Sequence, residues 1–426
     1  MQTSIPRIII IGGGFGGIQA AKSLSRSKVQ VYLIDRNNHH LFQPLLYQVA
    51  SSALSPGEIA VPIRSVLSKY RNVSIIMDEV TSIDTNRRTV LMTNGSLEYD
   101  WLIVAPGSRH SYFGNEQWEQ YAPGLKSLSD ALKIRENILY SFELAEKFYH
   151  TSDAHKYLTF IIVGGGPTGV EMAGAIAEIA RKTMLRDFPL IKKSDVSVIL
   201  VESGTRLLSS FSEELSEYTK NALNSLGVEV LTGIRINHVD QDYVMAGNQK
   251  IDAKNIIWAA GNSASPILKS LNIPLDRSGR AIVNQDLSIG GCDNVFVIGD
   301  AAKHTNPNGS ETPGIAPAAI QQAKYVAKVI AKSLPTSERP PFRYFDKGSM
   351  ATIGKAKAVA MVGSFKSKGL FAWLMWSFIH VFFLIDFRNR FRVMLEWIWY
   401  YLTNRPGARL IIYSKKTVHD IKHDKQ

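Results

Sequence analysis

Two stretches of the chain follow one design: a run of β-branched residues, a cluster of glycines, then apolar positions at helical spacing. They are RIIIIGGGFGGIQAAKSL at 7–24 and LTFIIVGGGPTGVEMAGAIAEIA at 158–180. Each predicts a buried strand, a tight turn and a helix, because a run of branched residues suits a strand covered on both faces. A second apolar strand follows each, VQVYLID at 29–35 and VSVILVE at 196–202. Both therefore complete a βαβ unit and predict parallel sheets, in two domains too far apart along the chain for a solenoid period. Three further strands end in small-residue turns: YDWLIVAPGS (99–108), NIIWAAGN (255–262) and NVFVIGDAA (294–302).

The pattern changes after about 344. The run GLFAWLMWSFIHVFFLI (369–385) carries no formal charge, Arg388, Arg390 and Arg392 follow, and VMLEWIWYYL (393–402) is again apolar and aromatic. At the lower limit of spanning length, this run leaves a single span possible. Its Trp and Phe density, the internal His380 and the flanking cations fit helices lying in the membrane interface better, and a buried core helix is the plain alternative.

The length of 426 residues predicts two or three folded units, and 45% hydrophobic with 20% charged residues excludes disordered and collagenous classes. The apolar run at 8–11 is too short for a signal peptide's core, so the N-terminus reads as folded structure. One cysteine, Cys292, excludes disulfide frameworks, Cys-rich metal sites and any dithiol relay; its plain reading is a small buried residue. The formal charge of +12 admits nucleic acid, an anionic membrane or an acidic substrate as partner. No nucleic-acid module accompanies it, so nucleic acid is set aside, and +5 of the +12 lies at 386–426, beside the aromatics. His39 and His40 lack a third ligand at metal spacing, and no metal is expected.

Gly12-x-Gly14-x-x-Gly17 follows a strand and opens a helix, with Asp35 ending the next strand. That is the dinucleotide fingerprint in context: glycines for the turn and for pyrophosphate approach, a helix N-terminus for the anion, a carboxylate for a ribose hydroxyl. Gly164-x-Gly166-x-x-Gly169 repeats it with Glu202 as the acid, the longer spacing being assigned to a longer helix and the loop LRDFPLIKKSD. Glu202 favours NAD over NADP, while the nearby Arg206 argues the other way. Two dinucleotide sites imply hydride transfer between nicotinamide and flavin.

With the late Gly299-Asp300, the chain resembles the two-dinucleotide-binding flavoproteins. The segments NHHLFQPLLYQVA (38–50), PGIAPAAIQQAKYVAKVI (313–330), DKGSMATIGKAKAV (346–359) and WIWYYLTNRPGARLI (397–411) are similar to one family among them, the type II NADH dehydrogenases, which are non-proton-pumping NADH:quinone oxidoreductases. The resemblance implies an α/β fold of two Rossmann-like domains with a C-terminal amphipathic membrane-binding segment. It places an FAD domain at 1–115 and 286–345, an inserted NAD domain at 116–285, and a quinone-site and anchoring segment at 346–426. FAD falls to Gly12, Gly14, Gly16, Gly17, Asp35, Arg36, Ala105, Gly107, Gly299 and Asp300; NADH falls to Gly164, Gly166, Gly169, Glu202 and Gly261.

The family's quinone pattern, Ala-Gln-x-x-x-Gln-Gln in many members, reads APAAIQQ here, so Pro317 removes one contact. Gln321 and Gln322 stay candidates, against a reading as helix-surface glutamines. Glu171, read as lying in the first turn of its helix, either positions NADH or moves a proton, or simply complements the helix dipole. Lys347 either stabilises anionic flavin or quinone oxygen or is a solvated lysine. The resemblance further implies a quinone partner (ubiquinone or menaquinone), an anionic membrane surface, a homodimer in many relatives, and a peripheral place on the cytoplasmic side of a bacterial inner membrane. A soluble NADH:ferredoxin-type reductase and a flavin-binding signalling protein of the apoptosis-inducing type stand as the competing readings.

Overall fold

A computed structural model describes residues 5–403 and 407–411. The chain forms two compact units. One comprises the chain up to Leu41, Ala60–Ser111 and Asn262–Lys347; the other comprises Phe42–Ile59, Tyr112–Gly261 and the chain from Gly348 onward.

In the first unit, six strands lie in the order Ser288–Ile289, Cys292–Val297, Trp101–Val104, Arg7–Ile11, Gln30–Asp35 and Val73–Met77, all parallel except the edge hairpin of the first two. Residue alternation divides the isoleucine run of 8–11 between two cores. Ile8 and Ile10 face the helices Phe15–Leu24 and Ala316–Ala331, while Ile9 and Ile11 face Leu268, Leu271 and the antiparallel sheet 80–98. All four are buried, as a strand covered on both faces requires.

The second unit is built on four parallel strands, Val228–Thr232, Ser197–Glu202, Thr159–Val163 and Asn255–Trp258. Helix Pro167–Glu178 follows the second glycine turn, and the extra length before Glu202 is taken up by a wide turn, Ile179–Thr183, two short 3-10 turns and a loop. A three-stranded antiparallel sheet, Ser349–Gly354, Lys357–Val362 and Phe365–Gly369, packs against this helix. Contact is backbone to backbone: a Cβ on Gly174 would collide with the Ile353 carbonyl. Helices Leu370–Phe383 and Phe387–Thr403 follow.

These groupings differ from the expected boundaries. Residues 262–285 belong with the first unit, because Asn262–Ala264 pairs with Ser108–His110 and Ala281–Ile282 pairs with Ala302–Lys303. Residues 42–59 belong with the second, where the short helix Leu46–Ala50 packs on Leu128–Lys147 and Pro167–Glu178. The segment expected as a separate unit from 346 is grouped with the second unit from Gly348, and part of it lies outside the described residues. Cys292, expected buried, is half-buried where its strand begins.

The apolar run 369–385 is not one long helix. It ends at Phe383, and among the described residues no helix is long and apolar enough to cross a membrane. Its polarity is inverted for a surface helix: Ala372 and Trp376 are buried while Phe371 and Phe378 are 62% and 73% exposed.

In the first unit Arg339 closes the core over the stacked Trp101 and Phe296 rings, donating to Asp286 Oδ2 at 2.8 Å and to the Leu334 carbonyl at 2.9 Å. Its side chain is 2% exposed and that of Asp286 9%, so removing one partner strands a buried charge. Arg339→Ala is expected to cost about 3–5 kcal/mol in urea unfolding, an effect that Arg339→Ala with Asp286→Ala should partly relieve.

Candidate active site

Both glycine turns are built alike. Gly12 and Gly164 leave their strands at φ +99° and +109°, a conformation L side chains avoid. A Cβ on Gly17 or Gly169 would collide with the carbonyl of Gly12 or Gly164, which fixes the closeness of strand to helix. At Gly14 and Gly166, by contrast, a Cβ would meet nothing within 4 Å. Each is the N-cap of its helix and no side chain caps it, so the first N–H groups face an open cradle of the kind a pyrophosphate fills. The residues present therefore fit a dinucleotide at both turns.

The acidic partners do more than the sequence suggested. Asp35 Oδ2 accepts the Gly13 N–H at 2.5 Å and its Oδ1 accepts that of Asn37 at 2.7 Å. Glu202 Oε2 accepts the Gly165 N–H at 2.5 Å and its Oε1 that of Gly204 at 2.5 Å. Each carboxylate closes its glycine turn from the next strand, keeping lone pairs for ribose hydroxyls. Arg206 is committed elsewhere: its guanidinium donates to the Phe211 and Ser209 carbonyls and to Ser216 Oγ.

Around the first turn, His40 Nδ1 contacts the Gly13 carbonyl at 3.0 Å, and burial lowers the ring's pKa to about 4, leaving it neutral. The Ala105 carbonyl abuts Gly12, Gly16 packs on Ile298, and Gly107 turns the chain at φ +71°. Asp300 Oδ2 accepts from Ser108 Oγ at 2.7 Å. Gln322, 1% exposed, accepts the Gly299 N–H at 2.7 Å, bracing that turn. Gln321 holds the Phe345 backbone with both ends of its amide, just before the exposed Lys347. Both glutamines are thus tied to backbone rather than lying idle on a helix surface. Pro317 occupies the first turn of their helix, where its missing N–H costs nothing. Arg36 is exposed, 3.9 Å from Glu79.

In the second unit Gly261 turns the chain at φ +74°, and Glu171 stands on the helix that follows the turn at 164–169. The helix begins at Pro167, which puts Glu171 in the second turn and weakens a purely dipolar account. Burial pushes its carboxyl up to about 8, with a long 3.5 Å contact from the Thr352 N–H pulling the other way. Glu171 opens on a cavity of about 50 Å³. Tyr47 and Gln48 enter it from the short helix, Tyr47 Oη lying 3.0 Å from Thr352 Oγ1 and 2.9 Å from Gln48 Nε2. Trp397 Nε1 donates to Gln48 Oε1 at 2.7 Å. Glu178 and Lys355 form another wall. These residues went unassigned on sequence; Glu178 had a usable signal, lying two turns past Glu171 on one helix face.

Paired, carboxylate-closed glycine turns on parallel sheets define an oxidoreductase of the two-dinucleotide class. Consistent with that, the pyridine nucleotide-disulphide oxidoreductase family model matches residues 6–323, and the NDH2 C-terminal domain model matches 347–406. The chain is 43% identical to the type II NADH:quinone oxidoreductase Ndh of Mycobacterium tuberculosis, over 95% of this chain and 90% of that protein. It is 40% identical to NdhA of the same organism, over 92% and 86%. Plasmodium falciparum NDH2, solved with NADH, shares the fold at TM-score 0.85 and 23% identity, covering 96% of this chain and all of that one. The chain belongs to the type II NADH:quinone oxidoreductase family.

Because Gly14 and Gly166 face open space, bulk there should obstruct ligand and not fold. Gly14→Val is expected to purify folded but with under about a tenth of the normal FAD. Gly166→Val should keep its FAD and raise KM for NADH about tenfold or more, as read from flavin absorbance and steady-state kinetics.

Proposed function

We propose that the protein oxidises NADH and reduces a membrane quinone, with FAD at the Gly12 turn and NADH at the Gly164 turn. The observation that carries this is the pair of carboxylate-closed turns in a chain with one cysteine, which leaves no dithiol to relay electrons. Bound FAD supplies a carrier that takes hydride from nicotinamide and returns two electrons to quinone. The Gly14 and Gly166 cradles admit the pyrophosphates, and Asp35 and Glu202 orient the riboses. Glu202 also repels a 2′-phosphate, and the internally bonded Arg206 does not compensate, which supports NADH over NADPH.

The balance of the reaction is NADH, one proton and quinone giving NAD and quinol, so the site must take up a proton. Glu171 suits that task, because a carboxyl raised to about 8 is protonated at neutral pH and able to give its proton up. Gln322 holds the Gly299–Asp300 turn, Gln321 fixes the segment leading to Lys347, and Lys347 offers a cation to charge developing on quinone oxygen. With the donating form lost above its pKa, turnover is expected to fall as pH rises past about 8. Glu171→Gln should lower quinone turnover roughly 10²–10⁴-fold and remove that alkaline limb. The check is NADH loss with and without a short-chain quinone, with NADPH as control. Equal rates with NADPH, or no acceleration by quinone, would sink the reading.

The exposed Phe371, Leu374, Phe378 and Phe382, next to Arg388 and Arg392, support docking on an anionic bilayer, here read as the cytoplasmic face of an inner membrane. Ubiquinone and menaquinone both fit this route. A second copy of the chain covering the same face is the competing occupant. Phe378→Glu with Phe382→Glu is expected to release the protein from phosphatidylglycerol vesicles in flotation while leaving short-chain quinone turnover within about twofold. Retained flotation would contradict the docking assignment, and a change from dimer to monomer by sedimentation would assign the face to a second copy.

A further inference from the structure

Glu171 holds a proton, and the cavity of about 50 Å³ that it faces, with the buried Tyr47, Gln48, Trp376 and Trp397 among its walls, needs a route by which one reaches it. The same helix carries a second acid into the same cavity. Glu178 is 6% exposed and lies seven residues, or about 10 Å, along the helix from Glu171. Its Oε1 accepts the Lys355 N–H at 2.8 Å from the turn after strand Ser349–Gly354, while Glu171 contacts the N–H of Thr352 on that strand. One strand therefore spaces the two carboxyls along one cavity. The volume admits about two waters, and a water there finds polar partners. Among these is the buried indole N–H of Trp376, which lines the cavity and has no partner of its own.

We propose that Glu178 is a proton way-station, taking the one proton consumed per turnover from solvent and passing it through cavity water to Glu171. The inference rests on the NADH:quinone reading of the same site. Just past Glu178, in the wide turn Ile179–Thr183, lies the exposed Lys182, whose charge acts on the acid. The charged groups around it are Lys182 on its own segment and Lys355 and Lys357 on the strand turn, with Tyr400 and Tyr401 of the last helix along the same wall. Burial raises the Glu178 carboxyl, and the three lysines pull it back down. Lys355, whose own pKa is lowered by burial, lies with Nζ 3.8 Å over the Tyr400 ring and donates to the Tyr400 carbonyl at 2.9 Å. A carboxyl held between these influences can be loaded and emptied as the cavity demands.

Glu178→Gln keeps an oxygen for the Lys355 N–H while abolishing the titration, and Glu178→Asp keeps the titration with a shorter reach. Both are compared with wild type as full-length, FAD-loaded protein, with a short-chain ubiquinone or ferricyanide as acceptor across neutral to alkaline pH. Ferricyanide takes electrons without protons, so its reduction releases a proton and needs none delivered. The expected result is that Glu178→Gln slows quinone turnover at least about tenfold more than ferricyanide turnover, with a larger solvent deuterium effect on kcat. Glu178→Asp should restore part of the quinone rate. Equal slowing with both acceptors, an unchanged quinone pH profile, or an effect confined to the quinone KM would overturn the proposal. Wild-type protein that fails to reduce quinone would instead overturn the functional reading beneath it.

Discussion

The structure depends on one short hydrogen bond made twice: the carboxylate ending the second strand of each unit accepts the N–H of the middle glycine in the preceding turn. That bond ties strand to turn and holds the helix start open at Gly14 and Gly166. A charge-assisted bond to backbone N–H is strong as well as short, so the turn is organised before ligand arrives. In the proposed reading the same carboxylate keeps acceptor capacity for a ribose, so that recognition would reuse the device that shapes the loop.

What distinguishes this chain from a generic pair of nucleotide domains is how much is packed onto the second glycine-turn helix. The absence of a side chain at Gly174 lets strand Ser349–Gly354 lie directly on it. Residues 46–50 close over it from elsewhere in the chain, and Trp397 is hydrogen-bonded to Gln48. The result is a small cavity faced by Glu171 and Glu178, both made weaker acids by burial. The two acids thus owe their shared setting to what packs around a single helix.

Much of this was legible in the sequence. The isoleucine run at 8–11 and its counterpart at 159–163 admit few alternatives to buried parallel strands, and the glycine spacing with Asp35 and Glu202 identified both turns. Less legible were features that depend on tertiary pairing. Residues 262–285 carry no mark of the strand pairs that attach them to the first unit, and nothing local in 42–59 shows that it packs with the second. Gln321 and Gln322 read as free amides until their backbone partners are seen. Glu178 was passed over because its meaning comes from the cavity it shares.

The central claim is that the two turns serve two dinucleotides joined by one electron path to quinone. It is tested most directly by the two half-reactions under anaerobic conditions. The account predicts that NADH bleaches the bound flavin rapidly, that NADPH does so far more slowly, and that a short-chain quinone restores the colour at a rate no slower than steady-state turnover. A flavin that NADH reduces but no quinone reoxidises would contradict it.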